Sequence, residues 1–452
     1  MTSPRNTPVL QPTVLITGAT DGLGLALAHA YRDQGARLLL VGRRPLTQLD
    51  PDLFNEGIYC QTDLTDAGCA ENVAKWLRNR QIAELSLVIH NAGAAYVGAL
   101  ADQPTENIRD LVAVNLLAPL LLTHALFDLV QPVCGSFVFI GSAVASLPSP
   151  AYAVYTATKA ALSGFVRNFQ IELRSRGSGV SAQIIHPGAA RTALHAKSGA
   201  ALADIPWDRF PPVEARAAEI VQAIGEGRRS QILGFSNRLV QRAAQTMPSL
   251  FDQGVGMAYA RKSVAEPLPP PADDSVRHSR HCVITGAADG IGKALALEFA
   301  AAGYRITGID RDVERSMRTQ AELINRGASA RFILGDLAQP ASLERILATL
   351  ISRPAIDVLI QNAGVNEVGL FIDSDLDQQR TVAAVNLSAP MIMTAEMLKS
   401  GALHRADRWS SFRRYRTMSA TQVRLSMPQP KMESAALRAA CPWRWRAPVC
   451  MC

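Results

Sequence analysis

The sequence predicts an α/β fold made of two tandem, doubly wound parallel-sheet domains, the second incomplete at its C-terminal end. Three observations predict it. One ordered series of short strings occurs twice: VLITGATDGLG, TDL, HNAG and AVNLLAP, then CVITGAADGIG, GDL, QNAG and AVNLSAP. Gly18 and Gly286 are 268 apart, Asp63 and Asp336 273, and Asn91 and Asn362, like Asn115 and Asn386, 271. Offsets of a domain's length mean tandem domains, not a solenoid of small repeats. Within each copy, short apolar β-branched runs alternate with segments of 3.6 periodicity. Finally, the second series breaks off after AVNLSAP, where its third quarter is due.

The elements of the first copy follow in order. Val14 to Ile16 reads as a strand, the glycine turn after it leads into a helix from Leu23 to Arg32, Gly35 stops that helix, and Arg37 to Val41 is the next strand. That is a βαβ unit. Further apolar runs at Leu85 to Ile89, Ser136 to Ile140 and Val180 to Ile185 alternate with helical segments, as in a parallel sheet covered on both faces. The most lipid-like stretch, Leu111 to Val133, is broken by Asn115, Pro119, His124 and Asp128 and reads as a buried or interface helix, not a membrane span. A joint falls at Ala265 to Arg280, where EPLPPPADDSVRHSR combines consecutive prolines with charge and packs no core. The expected division is a complete domain at 1–262, a linker at 263–280, an incomplete domain at 281–403 and a basic tail at 404–452.

The net charge of +7 suggests nucleic acid until its position is considered. Residues 401–452 hold nine Arg and one Lys against Asp407 and Glu433, a charge of +8, which leaves −1 for the first 400. A neutral body removes the case for a nucleic-acid partner. The seven cysteines are scattered, with no CxxC pair and no His at zinc spacing, so no metal site is expected and the thiols read as reduced, in a cytoplasmic protein. The stretch MTSPRNTPVLQPTVLITG lacks the pattern of a signal peptide, and no membrane partner is expected.

Chemistry gathers at two places. In TGATDGLG, Gly18 permits a tight turn, Gly22 lets backbone approach a pyrophosphate, and Gly24 allows the helix to pack on the sheet while its N-terminal N–H groups meet negative charge. Further on, Tyr155 and Lys159 lie four apart on AVYTATKAALSGFV, hence on one helix face. A cation near the phenol would lower a pKa that starts near 10 and make Tyr155 a proton carrier. Ser142, at the end of the FVFIGS strand, could bond a substrate oxygen as its charge changes.

With these strings in order, the chain resembles the short-chain dehydrogenase/reductase family, over about residues 10–260 and again 280–400. The resemblance implies Rossmann-type domains, the second truncated, and an oxidoreductase that interconverts a carbonyl and an alcohol by hydride transfer. It implies cofactor contacts at Thr17, Gly18, Gly22, Leu23, Gly24, Asp63, Asn91, Ala92, Gly93, Tyr155, Lys159, Pro187, Gly188 and Thr192. Asp63 would meet adenine, Lys159 the nicotinamide ribose and Thr192 the carboxamide side. Catalytic duty would fall on Asn115, which holds a water in a proton relay, with Ser142, Tyr155 and Lys159. In the second copy the corresponding cofactor residues are Gly286, Gly290, Gly292, Asp310, Asp336 and Asn362. The family also pairs subunits through the helices around Asn115 and Tyr155, so a homo-oligomer is expected, or a pseudo-dimer in which copy two takes that surface.

Cofactor choice is read at the end of the second strand. Twenty-four residues beyond Gly286 stands Asp310, suited to a free 2′-hydroxyl and thus NAD(H); the same count from Gly18 reaches Gly42, followed by Arg43 and Arg44. Those cations suit a 2′-phosphate, so copy one is expected to take NADP(H). His186 and His195 read as packing or surface residues. For copy two, where no Ser and no YxxxK follow in place, a cofactor-binding sensor or scaffold without turnover is the competing reading, and a non-functional remnant a third. The tail reads as a frame-shifted translation: codons for LSMPQPK, 425–431, are compatible with Val-Tyr-Ala-Ala-Thr-Lys in the next frame, a reading that the coding DNA tests directly.

Overall fold

The computed structural model describes residues 11–188, 190–191, 210–262, 280–353 and 355–403. Thr192, His195, nearly all of the joint and the tail at 404–452 lie outside the described residues.

The glycine turn sits where the sequence puts it. β1 (Thr13–Thr17) is followed by α1 (Gly22–Asp33) and β2 (Arg37–Gly42), which pairs parallel to β1 with Thr13 opposite Arg37. Asp21 caps α1 in extended backbone, its carboxylate accepting from Gly22 N at 2.7 Å, which satisfies one orphan donor of the first turn. Gly35, at φ 77°, closes the other end in a left-handed conformation that a side chain would strain. The chain continues through β3 (Tyr59–Gln61), α2 (Cys69–Asn79), β4 (Leu87–His90), α3 (Thr105–Val112), a π-helical turn (Ala113–Leu117), α4 (Ala118–Val130), β5 (Ser136–Ile140) and α5 (Ala153–Ser175). It then runs through β6 (Ser181–His186), α6 (Val213–Gly225), β7 (Ser230–Ile232), α7 (Phe235–Thr246) and α8 (Pro248–Lys262).

These strands form a parallel sheet of seven, in the order β3-β2-β1-β4-β5-β6-β7. Side chains alternate across it. Val14, Ile16, Leu38 and Leu40 join the core under α1 and α6, whereas Leu15, Leu39 and Val41 join the one under α2, α4 and α5. Winding reverses between β1 and β4, and that reversal opens a crevice at the strand carboxyl ends. Thr105–Val133 is long and apolar enough to cross a membrane, but 67% of its apolar window is buried within the protein. It is the buried helix expected at Leu111 to Val133, begun earlier and interrupted by the π turn. A second stretch of that length and character, Leu376–Lys399, is 39% buried.

His90 closes β4 inside this core. It is 2% exposed, its Nε2 lies 2.9 Å from Thr123 Oγ1, and its ring stacks on Phe139 at 4.8 Å. Burial pulls its pKa down to about 3 from 6.5. An unfolded chain takes up this proton below pH 6.5 and the folded one does not, so folding loses stability as pH falls from 6.5 toward 3, by up to roughly 4 kcal/mol. Urea midpoints measured across that range should fall more steeply for the parent than for His90→Leu; parallel curves would refute the assignment.

The second copy repeats the first half of the winding. β8 (His281–Thr285), α9 (Gly290–Ala301), β9 (Arg305–Asp310), α10 (Val313–Asn325), β10 (Ala330–Leu334), α11 (Pro340–Ile351) and β11 (Val358–Ile360) give a parallel sheet of order β10-β9-β8-β11. This is the order β3-β2-β1-β4 over again. Then come α12 (Leu376–Ala383), a second π turn (Ala384–Ser388) and α13 (Ala389–Lys399).

Among the described residues, the chain forms two compact units whose limits cut across the repeat: 280–334 with 355–363 is one, while 335–353 and 364–403 belong with 11–262. Within this larger unit, Phe371 meets the rings of Phe165 and Phe169 at 4.7 and 5.6 Å, and its N–H donates to Glu172 Oε2 at 2.8 Å. Thr105 Oγ1 donates to Glu396 Oε1 at 2.7 Å, and Ile372, Leu376 and Leu387 pack on the core of the first copy. The helix faces expected to meet another copy are thus met by residues of this chain.

Candidate active site

The glycine loop is tied to β4 by a threonine. Thr17 Oγ1 accepts from the N–H groups of Asn91 and Ala92, both at 3.1 Å, and Asn91 Nδ2 returns to the carbonyls of Thr17 and Gly18 at 3.0 and 3.3 Å. Gly18, at φ 65°, lies so close to Ala92 that a Cβ on it would stand 2.8 Å from Ala92 Cα. A Cβ on Gly24 would collide with the Gly18 carbonyl oxygen. Leu23 between them packs on the core beneath α1. The loop is thereby a tight backbone cradle at a helix N-terminus, open to an anion. In the second copy Thr285, Asn362, Gly286 and Gly292 repeat these bonds and close approaches, and Gly290 has a positive φ like Gly22.

Around the adenine position, Asp63 Oδ1 accepts from Thr65 N and Thr65 Oγ1, both at 2.9 Å. Asp336 accepts from Ala338 N in the same way at 2.9 Å. The two candidate phosphate cations differ. Arg44 is engaged, with Asp21 at 3.0 Å and the Thr20 carbonyl at 3.2 Å, whereas Arg43 is exposed and has no charged partner among the described residues. A side chain at Gly42 would meet Thr20 Cγ2 at 2.6 Å, so this site has no room for the acid that copy two carries. Asp310 is knit into its own loop, accepting from Ala288 N at 3.0 Å and from Asp312 N at 3.1 Å.

Four sequence-predicted residues converge where β5 ends. Asn115 is fully buried on the π turn, its Oδ1 accepting from Ala94 N and its Nδ2 donating to Ala94 O, both at 2.9 Å, and to Thr158 Oγ1 at 3.1 Å. A π turn often marks a functional position, because the inserted residue re-aims a side chain. Asn386 makes the same pair of bonds to Val365, at 2.9 and 2.8 Å. Gly93 packs beside this latch: a Cβ there would be 3.3 Å from Asn115 Oδ1 and 3.6 Å from Lys159 Nζ.

Lys159 is 4% exposed and its Nζ donates to the carbonyl of Ile140 at 2.9 Å. Burial lowers its pKa to about 8. Ser142 and Tyr155 share a side-chain hydrogen bond. The Tyr155 pKa is raised by burial, which outweighs the lowering by Ser142. This corrects the expectation of a phenol acidified by Lys159, whose ammonium is turned to the Ile140 carbonyl. At neutral pH the phenol of the chain by itself keeps its proton.

Sequence reasoning missed several supports. His186, read as packing, places Nδ1 3.0 Å from the Ser142 carbonyl. Its only signal was its place directly before Pro187 and Gly188. A Cβ on Gly188 would collide with Asn237 Nδ2, and Asn237 holds the Leu233 carbonyl at 2.7 Å. In copy two the described residues stop short of any counterpart to the Ser, Tyr and Lys, and positions 271 beyond those three are Arg413, Ser426 and Pro430.

The model of the family described as short chain dehydrogenase matches residues 12–203 and 280–405. A short chain dehydrogenase of Pseudocercospora fijiensis is 28% identical over 199 residues, 42% of this chain and 62% of that protein's length. Sulfoacetaldehyde reductase 2 of Chromohalobacter salexigens is 32% identical over 191 residues, 40% of this chain and 73% of the relative. A solved short-chain dehydrogenase from Sphingobium yanoikuyae, in complex with NADPH, aligns at 27% identity with a TM-score of 0.44, covering 59% of this chain and 100% of that one.

Proposed function

Since the chain belongs to the short-chain dehydrogenase family, we propose that its first copy interconverts a small-molecule carbonyl and the corresponding alcohol, with NADP(H) as the cofactor. The observation that carries the reading is the meeting of Ser142, Tyr155 and buried Lys159 at the end of β5, beside a glycine cradle that fits a dinucleotide pyrophosphate. Thr17, Gly18, Gly22, Leu23, Gly24, Asp63, Asn91, Ala92 and Gly93 would hold the cofactor, together with Pro187, Gly188 and Lys159. When bound, it supplies or accepts the hydride.

The chain's own residues handle the oxygen and the proton. Ser142 donates to the substrate oxygen as charge develops on it, and Tyr155, kept protonated by burial, gives up its phenolic proton there. Lys159 carries positive charge below about pH 8 and, held on the Ile140 carbonyl, would bind the nicotinamide ribose. Asn115 fixes the loop at Ala94 and the helix at Thr158, so that both walls keep their spacing. A phenol that starts protonated suits carbonyl reduction. The test is a panel of ketones and aldehydes with NADPH and NADH, where consumption of neither cofactor by the parent would end the proposal.

Preference for NADPH rests on Arg43, with Arg44 already paired to Asp21. Arg43→Ala should weaken NADPH binding by about tenfold or more and leave NADH unchanged, the worth of one charge-assisted contact. Titrations of both cofactors check this; equal affinity of the parent for the two would overturn it.

For the second copy we favour cofactor binding without turnover, with Asp310 selecting NAD(H). Its loop repeats the first in every bond described above, and no acid and base follow it among the described residues. The contacts made by Phe371 and Glu396 support an internal pseudo-dimer. A cytoplasmic location fits the unpaired thiols of Cys60, Cys69 and Cys282.

A further inference from the structure

We propose that His186 is a positioning residue, which holds the hydroxyl of Ser142 on Tyr155 by gripping the Ser142 carbonyl. The inference rests on the reading of Ser142 and Tyr155 given above. Three consecutive backbone groups are fixed where β5 leaves the sheet. Lys159 Nζ donates to the Ile140 carbonyl at 2.9 Å, Gly141 N donates to the Ile185 carbonyl at 2.8 Å, and His186 Nδ1 stands 3.0 Å from the Ser142 carbonyl. The first two hold the strand itself. The third acts two residues past the end of the strand, on the residue whose side chain does the chemistry.

The imidazole is also fitted to its place. His186 is 8% exposed, and a Cβ on Gly141 would be 2.6 Å from its Nδ1 and 2.8 Å from its Cε1, so the absent side chain of Gly141 is the space the ring fills. A carbonyl only accepts, so Nδ1 carries the hydrogen. Burial, and after it the charge of Lys159, oppose a second proton on the ring, and the bond to Ser142 favours one. A neutral ring with hydrogen on Nδ1 is the form that grips. Its own backbone is anchored in turn, the His186 carbonyl accepting from Leu233 N at 3.0 Å. Without this donor, the Ser142 carbonyl keeps the bond from Ala145 N at 3.1 Å, and its hydroxyl oxygen keeps a 3.4 Å bond from Val144 N besides the bond with Tyr155.

The test reads the Ser142 hydroxyl through its neighbour. In the full-length chain a fluorinated tyrosine, which titrates at lower pH than tyrosine, replaces Tyr155, and its pKa is followed by fluorine NMR. Ser142→Ala should raise that pKa by about one unit, the worth of a hydrogen bond to the charged form. His186→Gln should raise it by a similar amount, and the double substitution no further. His186→Asn, whose amide reaches the position of Nδ1, should stay near the parent. Thermal melts identify any variant that fails to fold, and the Asn variant against the parent then still decides. A rise in His186→Asn as large as in Ser142→Ala overturns the inference, as does a His186→Gln chain that titrates like the parent. No rise in Ser142→Ala overturns the underlying reading of the site, and the inference with it.

Discussion

Tyr155→Phe should cut kcat by at least about 100-fold, in the range that general acid catalysis supplies, while cofactor affinity stays within about twofold. The substitution removes one oxygen from a half-buried ring and leaves the ring's packing against Tyr152 in place, at 6.2 Å between centroids. What is lost is the phenol bonded to Ser142. Lys159→Ala, by contrast, should damage turnover and cofactor binding together, since it also releases the Ile140 carbonyl. Steady-state kinetics beside a cofactor titration separate the two. A Tyr155→Phe chain that kept a substantial share of the parent rate would show the proton to travel another way.

Gly24→Ala should weaken NADPH binding to the first copy by about 100-fold. The added methyl collides with the Gly18 carbonyl oxygen and comes within 2.5 Å of Asn91 Nδ2, and neither is the free end of a flexible side chain. Either α1 moves off the sheet or the loop opens at Ala92, at a cost of the 1 to 3 kcal/mol typical of overpacking, about 5- to 150-fold in affinity. The upper end is expected because the Gly18 carbonyl stands on one side and, on the other, the Asn91 amide held by its bonds to the Thr17 and Gly18 carbonyls. Gly292→Ala makes the equivalent collision in copy two and should leave turnover untouched. Unchanged NADPH binding in Gly24→Ala would show that the cradle does not hold the cofactor.

Much of this was written in the order of residues. The βαβ unit, the glycine loop and the Tyr155–Lys159 spacing are local patterns, and local patterns survive in sequence. Helix limits at Gly22 and Asp33 lie one residue beyond those read from periodicity, the usual play at helix ends. The π turn at Asn115 was not legible, because AVNLLAP continues an α-helical pattern and the extra residue exists only as a hydrogen-bond shift. His186 escaped for another reason: its partner is a backbone carbonyl, and any residue type would have offered one. The sign of the Tyr155 shift depended on whether burial or the Lys159 charge dominates, and that balance is set by where Nζ points. Nor could a count of glycines reveal that Arg44 is already committed to Asp21.

The seating of Phe371 between Phe165 and Phe169 changes the order of a reaction. Between separate subunits, covering such a face is bimolecular, and its occupancy falls as the protein is diluted. Here both surfaces are stretches of one polypeptide, so the local concentration of one at the other is fixed by the chain between them and not by the number of molecules in solution. Covering the α5 face is therefore a folding step, complete at any dilution, and its loss would follow denaturant, not protein concentration.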